Sequence, residues 1–316
     1  MRPVRLFALG IAATLVQVWG FYWDLSWHIE FGERSLFSPP HVTWMSGVLL
    51  ATTAGWLDVR GSRLTAWPRL GRIPLLFFGA CVEITGFFSD ALWHYHIGPD
   101  LVWSPPHFVI ATGVLIELMG CLALPKNSAP LVLSRTLMVA PFLTFATALM
   151  VFGVFIGSME SRLTHRSLLL YPIAMGFVAS AVLGMANRFL AGRWIAVKVA
   201  AIYFVTRGAP ALFLWLMGSL VSGYPPFLVL PALLMDLVVR PGKNEMARTA
   251  IGGALFGACL ALVEYYPIRI ASEYPWALEA LWGVIPFAAA AGLYGALWGY
   301  LAGNLLSRAS LVPSVS

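Results

Sequence analysis

The chain has 316 residues, of which 59% are hydrophobic and 11% charged, well above the apolar share of roughly 45 to 50% usual in soluble proteins. That excludes a soluble globular domain and a disordered tail, and predicts an all-α, polytopic membrane helix bundle. The formal net charge of +6 calls for no nucleic-acid partner, because the topology accounts for it.

Apolar runs able to cross a bilayer, about 20 residues each, fall in chain order at 6–27, 41–57, 73–93, 106–124, 137–157, 168–187, 197–221, 224–239, 249–268 and 277–305. These runs predict about ten transmembrane helices. Lys and Arg concentrate on the cytoplasmic side of membrane proteins. With the N-terminus inside, Arg2, Arg5, Arg60, Arg63, Arg69, Arg72, Lys126, Arg135, Arg188, Arg193, Lys198, Arg240, Lys243, Arg248 and Arg308 fall inside. Only Arg34, Arg162, Arg166 and Arg269 fall outside, and Arg207 is left at membrane depth. Both termini are therefore expected in the cytoplasm. The first run ends in "FYWD" rather than in small residues, so it is expected to be a retained helix and not a cleaved signal. Cys81, Cys121 and Cys259 lie inside expected helices, which argues for apolar filler and against a disulfide framework or a CxxC metal site.

"DLSWHIEFGERSLFSPPH" at 24–41 returns 66 positions later as "DALWHYHIGPDLVWSPPH" at 90–107. Laid over one another without gaps, 21–47 and 87–113 agree at ten of 27 positions. The matches pair Phe21 with Phe87, Asp24 with Asp90, Trp27 with Trp93, His28 with His94, Gly32 with Gly98, Ser38 with Ser104, His41 with His107 and Gly47 with Gly113, with the Pro-Pro pairs between. Each unit reads as a helix, a twelve-residue outer loop and a returning helix, so the repeat is a tandem pair of helical hairpins. The hairpins are expected to occupy 1–130, with repeats at about 15–57 and 81–124, and 131–316 to add transmembrane helices of unassigned role. Because a whole hairpin separates the two loops, both face the non-cytoplasmic side.

Asp24 and His28 are four apart, so they share one helical face. In "SPPH" the Ser suits an N-cap and a Pro the first helical turn, which places His41 level with Asp24 and His28 across the hairpin. Asp90, His94 and His107 repeat the arrangement. Two imidazoles and a carboxylate suit a divalent transition metal such as copper, zinc or iron. Ionisable groups clustered at a membrane boundary are costly enough to signal function. The alternative is a hydrogen-bonded Asp–His pair at a helix end, with Trp27 and Trp93 in an interfacial aromatic belt. His96, opposite Glu30 in the alignment, reads as a neighbour supporting the metal ligands or as an exposed loop residue. His165 reads as a solvated loop residue.

These residues resemble those of a family, the copper-binding C subunit of particulate methane monooxygenase and its ammonia monooxygenase relatives. That family carries Asp, three residues, His, twelve residues, His, with Trp before the first His, as "DLSWH" and "FSPPH" do here. The resemblance implies copper ligands at Asp24, His28 and His41, and a second ligand set at Asp90, His94 and His107. It covers about residues 15–120. The departures are Asp90 where the family's second set usually has Asn, "SPPH" in place of Pro-Ser-His, and about four extra helices. A copper-dependent, monooxygenase-like oxidoreductase is the expected activity. The competing functions are a copper-binding, transport or assembly protein without redox chemistry, and a structural zinc scaffold. The partners this implies are membrane lipid, a second copy or other membrane subunits, and a quinol or small apolar substrate. No catalytic residue and no organic cofactor site can be read.

Seven residues before each Asp stand Gln17 and Glu83, suggesting a polar stripe inward from the triads. Glu83, Glu117 and Arg207 are expected to pair with one another at mid-membrane, with a proton or electron relay as the alternative. Asp236 and Glu264 lie nearer helix ends. "IGGALFGACLA" at 251–261 and "AGLYGALWGYLAG" at 291–303 place small residues where helices can approach closely. No phosphate loop, nucleophile elbow or HExxH pattern occurs.

Overall fold

The computed structural model describes residues 3–31, 35, 37–61, 75–97, 104–123, 142–154, 170–190, 192–218, 226–240, 244–271 and 277–311. The loop positions Gly32, Arg34, Gly98, Arg162, His165 and Arg166 lie outside the described residues. Those residues form helices and no strand: α1 (Pro3–Phe31), α2 (Pro39–Gly61), α3 (Leu75–His96), α4 (Pro105–Ala123), α5 (Phe142–Val154), α6 (Leu170–Phe189), α7 (Ile195–Leu216), α8 (Val229–Val238), α9 (Glu245–Ala271) and α10 (Leu278–Leu311). Each expected run overlaps one of them.

Six are long and apolar enough to cross a membrane: α3, α4, α6, α7, α9 and α10. α1 and α2 have the length, at 29 and 23 residues, and stand outside the six. α5, with 13 described residues, and α8, with 10, fall short of the roughly 20 that a perpendicular crossing needs. Large apolar side chains such as Leu49, Phe88, Trp282 and Trp298 are exposed, the pattern of a bundle whose outer surface is solvated by lipid rather than water.

The chain divides into two compact units, 1–154 with 209–223, and 155–208 with 224–316. In the first, α1 packs on α2, α2 on α3, α3 on α4 and α4 back on α1, closing a four-helix set. Its core is Ala13, Trp44, Val48, Ala51, Ala80 and Ile110, with Phe21, Met45 and Phe87 against it. Glycines set the helix spacing. A Cβ on Gly20 would lie 2.8 Å from the Trp44 backbone nitrogen, and one on Gly86 2.9 Å from that of Ile110. The loops between paired helices are shorter than twelve residues, because α1 continues one turn past His28 to Phe31 and α2 opens at Pro39. Nothing breaks a helix before Gly32, and Pro39 suits a first turn because no backbone donor is needed there.

In the second unit α10 packs on α6 and α9, and α8 packs on α9. Here the small residues of 251–261 and 291–303 meet backbone to backbone. Gly253 faces Gly292, Gly257 faces the Ala288 carbonyl, and Gly299 faces the Ala181 carbonyl. Gly257→Leu should force α9 and α10 apart and cost about 3 kcal/mol or more, the upper end for overpacking. A lowered melting temperature in detergent would show it.

Asp236 and Glu264 have structural duties in this unit. Asp236 accepts from Ala196 N at 3.3 Å and Val197 N at 2.9 Å, capping the start of α7. Glu264, with no exposure, accepts from Phe227 N at 2.8 Å just before α8. Both supply acceptors for backbone donors that a helix start leaves unpaired.

Candidate metal centre

Ser38 starts α2: the Val42 amide donates to its carbonyl at 3.0 Å and the His41 amide to its hydroxyl at 3.5 Å. His41 thus stands in the first turn, beside the last turns of α1. His28 Nε2 lies 3.5 Å from Asp24 Oδ2, and His41 Nε2 lies 3.2 Å from Asp24 Oδ1. One ligand atom from each of the three residues lies within 4.8 Å of the others. Metal–ligand bonds of about 2.0 to 2.2 Å at tetrahedral angles put neighbouring ligand atoms roughly 3.3 to 3.6 Å apart. The Asp24 contacts match that spacing, so the group is able to hold a metal ion.

His41 is also held in a metal-binding tautomer. Its Nδ1 lies 2.8 Å from the Ser35 carbonyl oxygen, so Nδ1 carries the proton, because a carbonyl can only accept. In the neutral ring Nε2 then presents a lone pair toward Asp24, whereas a protonated ring donates to it. Asp24 Oδ1 is buried without a hydrogen bond. Two acceptors facing each other at 3.2 Å are repulsive unless a cation or a second ring proton stands between them. A backbone carbonyl fixing the far nitrogen of a ligand histidine is the usual support of such a site. The Ser35 contact left no signal in the sequence, since any residue supplies a carbonyl.

The second group is looser: Asp90, His94 and His107 come together, but their ligand atoms do not all lie within 4.8 Å of one another as those of the first group do. His94 Nε2 is 3.5 Å from Asp90 Oδ2 and His107 Nε2 is 3.6 Å from Asp90 Oδ1, with Phe108 N bonded to the Ser104 carbonyl at 3.4 Å. Its contacts are a little wider. The two groups are neighbours: the His28 and His94 rings stack with centroids 6.3 Å apart and an interplanar angle of 18°.

No family model, curated protein or solved structure matches the chain.

Beneath the two groups lies an aromatic layer. Trp44 packs between Phe21, at 6.0 Å, and Phe87, at 5.3 Å. Trp27 packs on Phe31 at 4.5 Å and on Trp23 at 6.4 Å. His96 is exposed, with its ring edge against Tyr95, and takes no part in either group. Gln17 and Glu83 are fully buried, one layer further in. Gln17 Nε2 donates to Glu117 Oε2 at 3.1 Å. Glu83 packs over Gly113 of α4 and Glu117 over Gly79 of α3. The carboxyls meet each other. The three cysteines are free, Cys81 exposed and Cys121 and Cys259 buried.

Proposed function

We propose that this is a multi-pass membrane metalloprotein in which Asp24, His28 and His41 hold one divalent ion and Asp90, His94 and His107 hold another beside it. The observation that carries the reading is the facing of His41 Nε2 and Asp24 Oδ1 at 3.2 Å with His41 Nδ1 committed to the Ser35 carbonyl. The native metal is copper and the activity an oxidoreductase of the monooxygenase kind, as the resemblance to the C subunit implies. Two histidines and one carboxylate leave open positions for oxygen or substrate, and bound copper would supply the one-electron chemistry. The chain's part is to orient the imidazoles and to keep the apolar side of the centre dry with the Phe21, Trp44 and Phe87 layer.

Duplication of the hairpin is part of the proposal. Gly20 meets Trp44 as Gly86 meets Ile110, and Gly47 meets Gln17 as Gly113 meets Glu83. Each pair differs by the same 66 positions as the triads. The charge bias places both triads on the non-cytoplasmic face and both termini inside, so a cysteine at Ser35 should react with an impermeant reagent on intact cells.

The test is metal analysis and electron paramagnetic resonance on protein purified from its own membranes. The expected result is two metal equivalents, with a type-2 cupric signal split by nitrogen. Stoichiometric zinc without that signal would end the redox reading. Acidification should release the metal, because imidazole binds it only when deprotonated. Retention at low pH would contradict histidine ligation.

A further inference from the structure

Gln17, Glu83 and Glu117 meet inside the first unit with no solvent exposure. The two glutamates are built in reciprocally. Glu83 of α3 lies over Gly113 of α4, and Glu117 of α4 lies over Gly79 of α3. Each glutamate follows by four residues the glycine that admits its counterpart, so Gly79 to Glu83 and Gly113 to Glu117 form one interlocked pattern. A Cβ on Gly79 would come within 2.6 Å of the Glu117 Cγ, so neither glycine tolerates a side chain while the carboxyls stay in place.

The polar atoms do not balance if both carboxyls are ionised. Gln17 Nε2 donates to Glu117 Oε2 at 3.1 Å. Gln17 Oε1, on the same amide, is an acceptor buried without a hydrogen bond, and so are Glu83 Oε1 and Oε2 and Glu117 Oε1, four acceptors that the unpaired Trp44 indole N–H beside Glu83 cannot satisfy alone. These acceptors require a donor, and a protonated carboxyl supplies one. Adjacent carboxylates cannot both stay charged in such a place, whereas a carboxylic acid bonded to a carboxylate makes a strong, short contact. The titratable groups facing the pair from neighbouring helices are each other and Cys121, one turn further along α4. α1 contributes Gln17 and α2 contributes Trp44, neither of which titrates.

We infer that Glu83 and Glu117 share one proton, forming a buried proton-binding site whose occupancy responds to charge on the neighbouring triads. Gln17 and Glu83 precede Asp24 and Asp90 by seven residues each, about 10 Å along a helix. At that distance a unit positive charge weakens proton binding roughly tenfold through protein of ordinary effective dielectric. The shared proton stands independently of the metal reading; its response to charge rests on it.

The experiment is infrared difference spectroscopy on the full-length protein in detergent, first metal-free and then with Zn²⁺, which is redox-silent. The metal-free protein should show a carboxylic-acid carbonyl band at neutral pH that shifts in D2O and titrates as one group. Glu83→Gln and Glu117→Gln should each remove that titration, while Zn²⁺ occupancy persists. Loading Zn²⁺ should move the midpoint down by about one pH unit. Absence of the band in the unmodified protein, which needs no variant to fold, overturns the inference. So does a band that survives unchanged in both variants, or one abolished by Na⁺, which would mark a cation site. A band present in protein that binds no Zn²⁺ would retain the shared proton while removing the metal reading. A midpoint indifferent to bound Zn²⁺ would remove the coupling.

Discussion

Asp24→Asn should strip the first triad of metal and Asp90→Asn should not have an equal effect on the second. Asn keeps the size of Asp and one carbonyl oxygen but loses the anionic charge that helps hold a divalent ion. Asp24 is the hinge of its group, contacting His28 at 3.5 Å and His41 at 3.2 Å, and the Ser35 carbonyl holds the His41 ring by its Nδ1. Loss of supporting residues around a metal typically costs 10- to 100-fold in affinity, and loss of a direct ligand charge should exceed about 100-fold. Asp90 sits in the wider group, with contacts of 3.5 and 3.6 Å, and resembles a position that is usually Asn in the copper-binding C subunits. Competition titration with a chromophoric chelator measures both affinities. Equal, full occupancy in both variants would make the aspartates helix-end hydrogen-bond partners and end their assignment as metal ligands.

His28→Ala tests whether the neighbours act together. Each triad is complete within its own hairpin, which from sequence alone predicts independent loss of one equivalent. The stacking of His28 on His94 adds a path by which losing one ring loosens the other. Metal counting should show loss of one equivalent and weakened retention of the second.

The triads were legible because their geometry is local. A helix brings residues four apart onto one face, and Ser-Pro-Pro marks a helix start within one residue, so Asp24, His28 and His41 meet as expected. The helices were legible because membrane spans are written in composition. What depends on the phase of one helix against another was not legible. The His28–His94 stack is of this kind, as is the interlock of Gly79, Glu83, Gly113 and Glu117. Both are set by how α1, α3 and α4 rotate in the bundle. The Gly-x-x-x-Glu spacing stood in both helices, but a glycine four residues before a glutamate says nothing until its partner helix is known. Loop length was misjudged for a simpler reason: the distance between the histidines was taken as loop, whereas α1 runs on to Phe31 and α3 to His96, and α2 and α4 open at Pro39 and Pro105, before their histidines.

Gly20→Ala should weaken metal binding without touching a ligand. Gly20 lies one turn before Asp24 on α1 and faces the backbone of Trp44, which is one turn after His41 on α2. A Cβ there would sit 2.8 Å from the Trp44 nitrogen, against an ordinary contact of about 3.5 Å or more. The opposing atoms are backbone, so relief requires α2 to move away by several tenths of an ångström. The displacement falls directly on the 3.2 Å placing of His41 against Asp24 and carries His41 away from His28 on α1, distorting the three-residue group. Overpacking of this kind costs about 1 to 3 kcal/mol in stability, which a bundle of this size should survive. Metal affinity at the first triad should fall about 10- to 100-fold, as for other losses of ligand support. Gly283→Ala is the matched control, since nothing lies within 4 Å of a Cβ at that helical position, and it should stabilise by about 0.5 to 1 kcal/mol. If Gly20→Ala folds, melts lower and yet binds metal as tightly as the unmodified protein, the spacing of α1 and α2 does not set the ligand geometry.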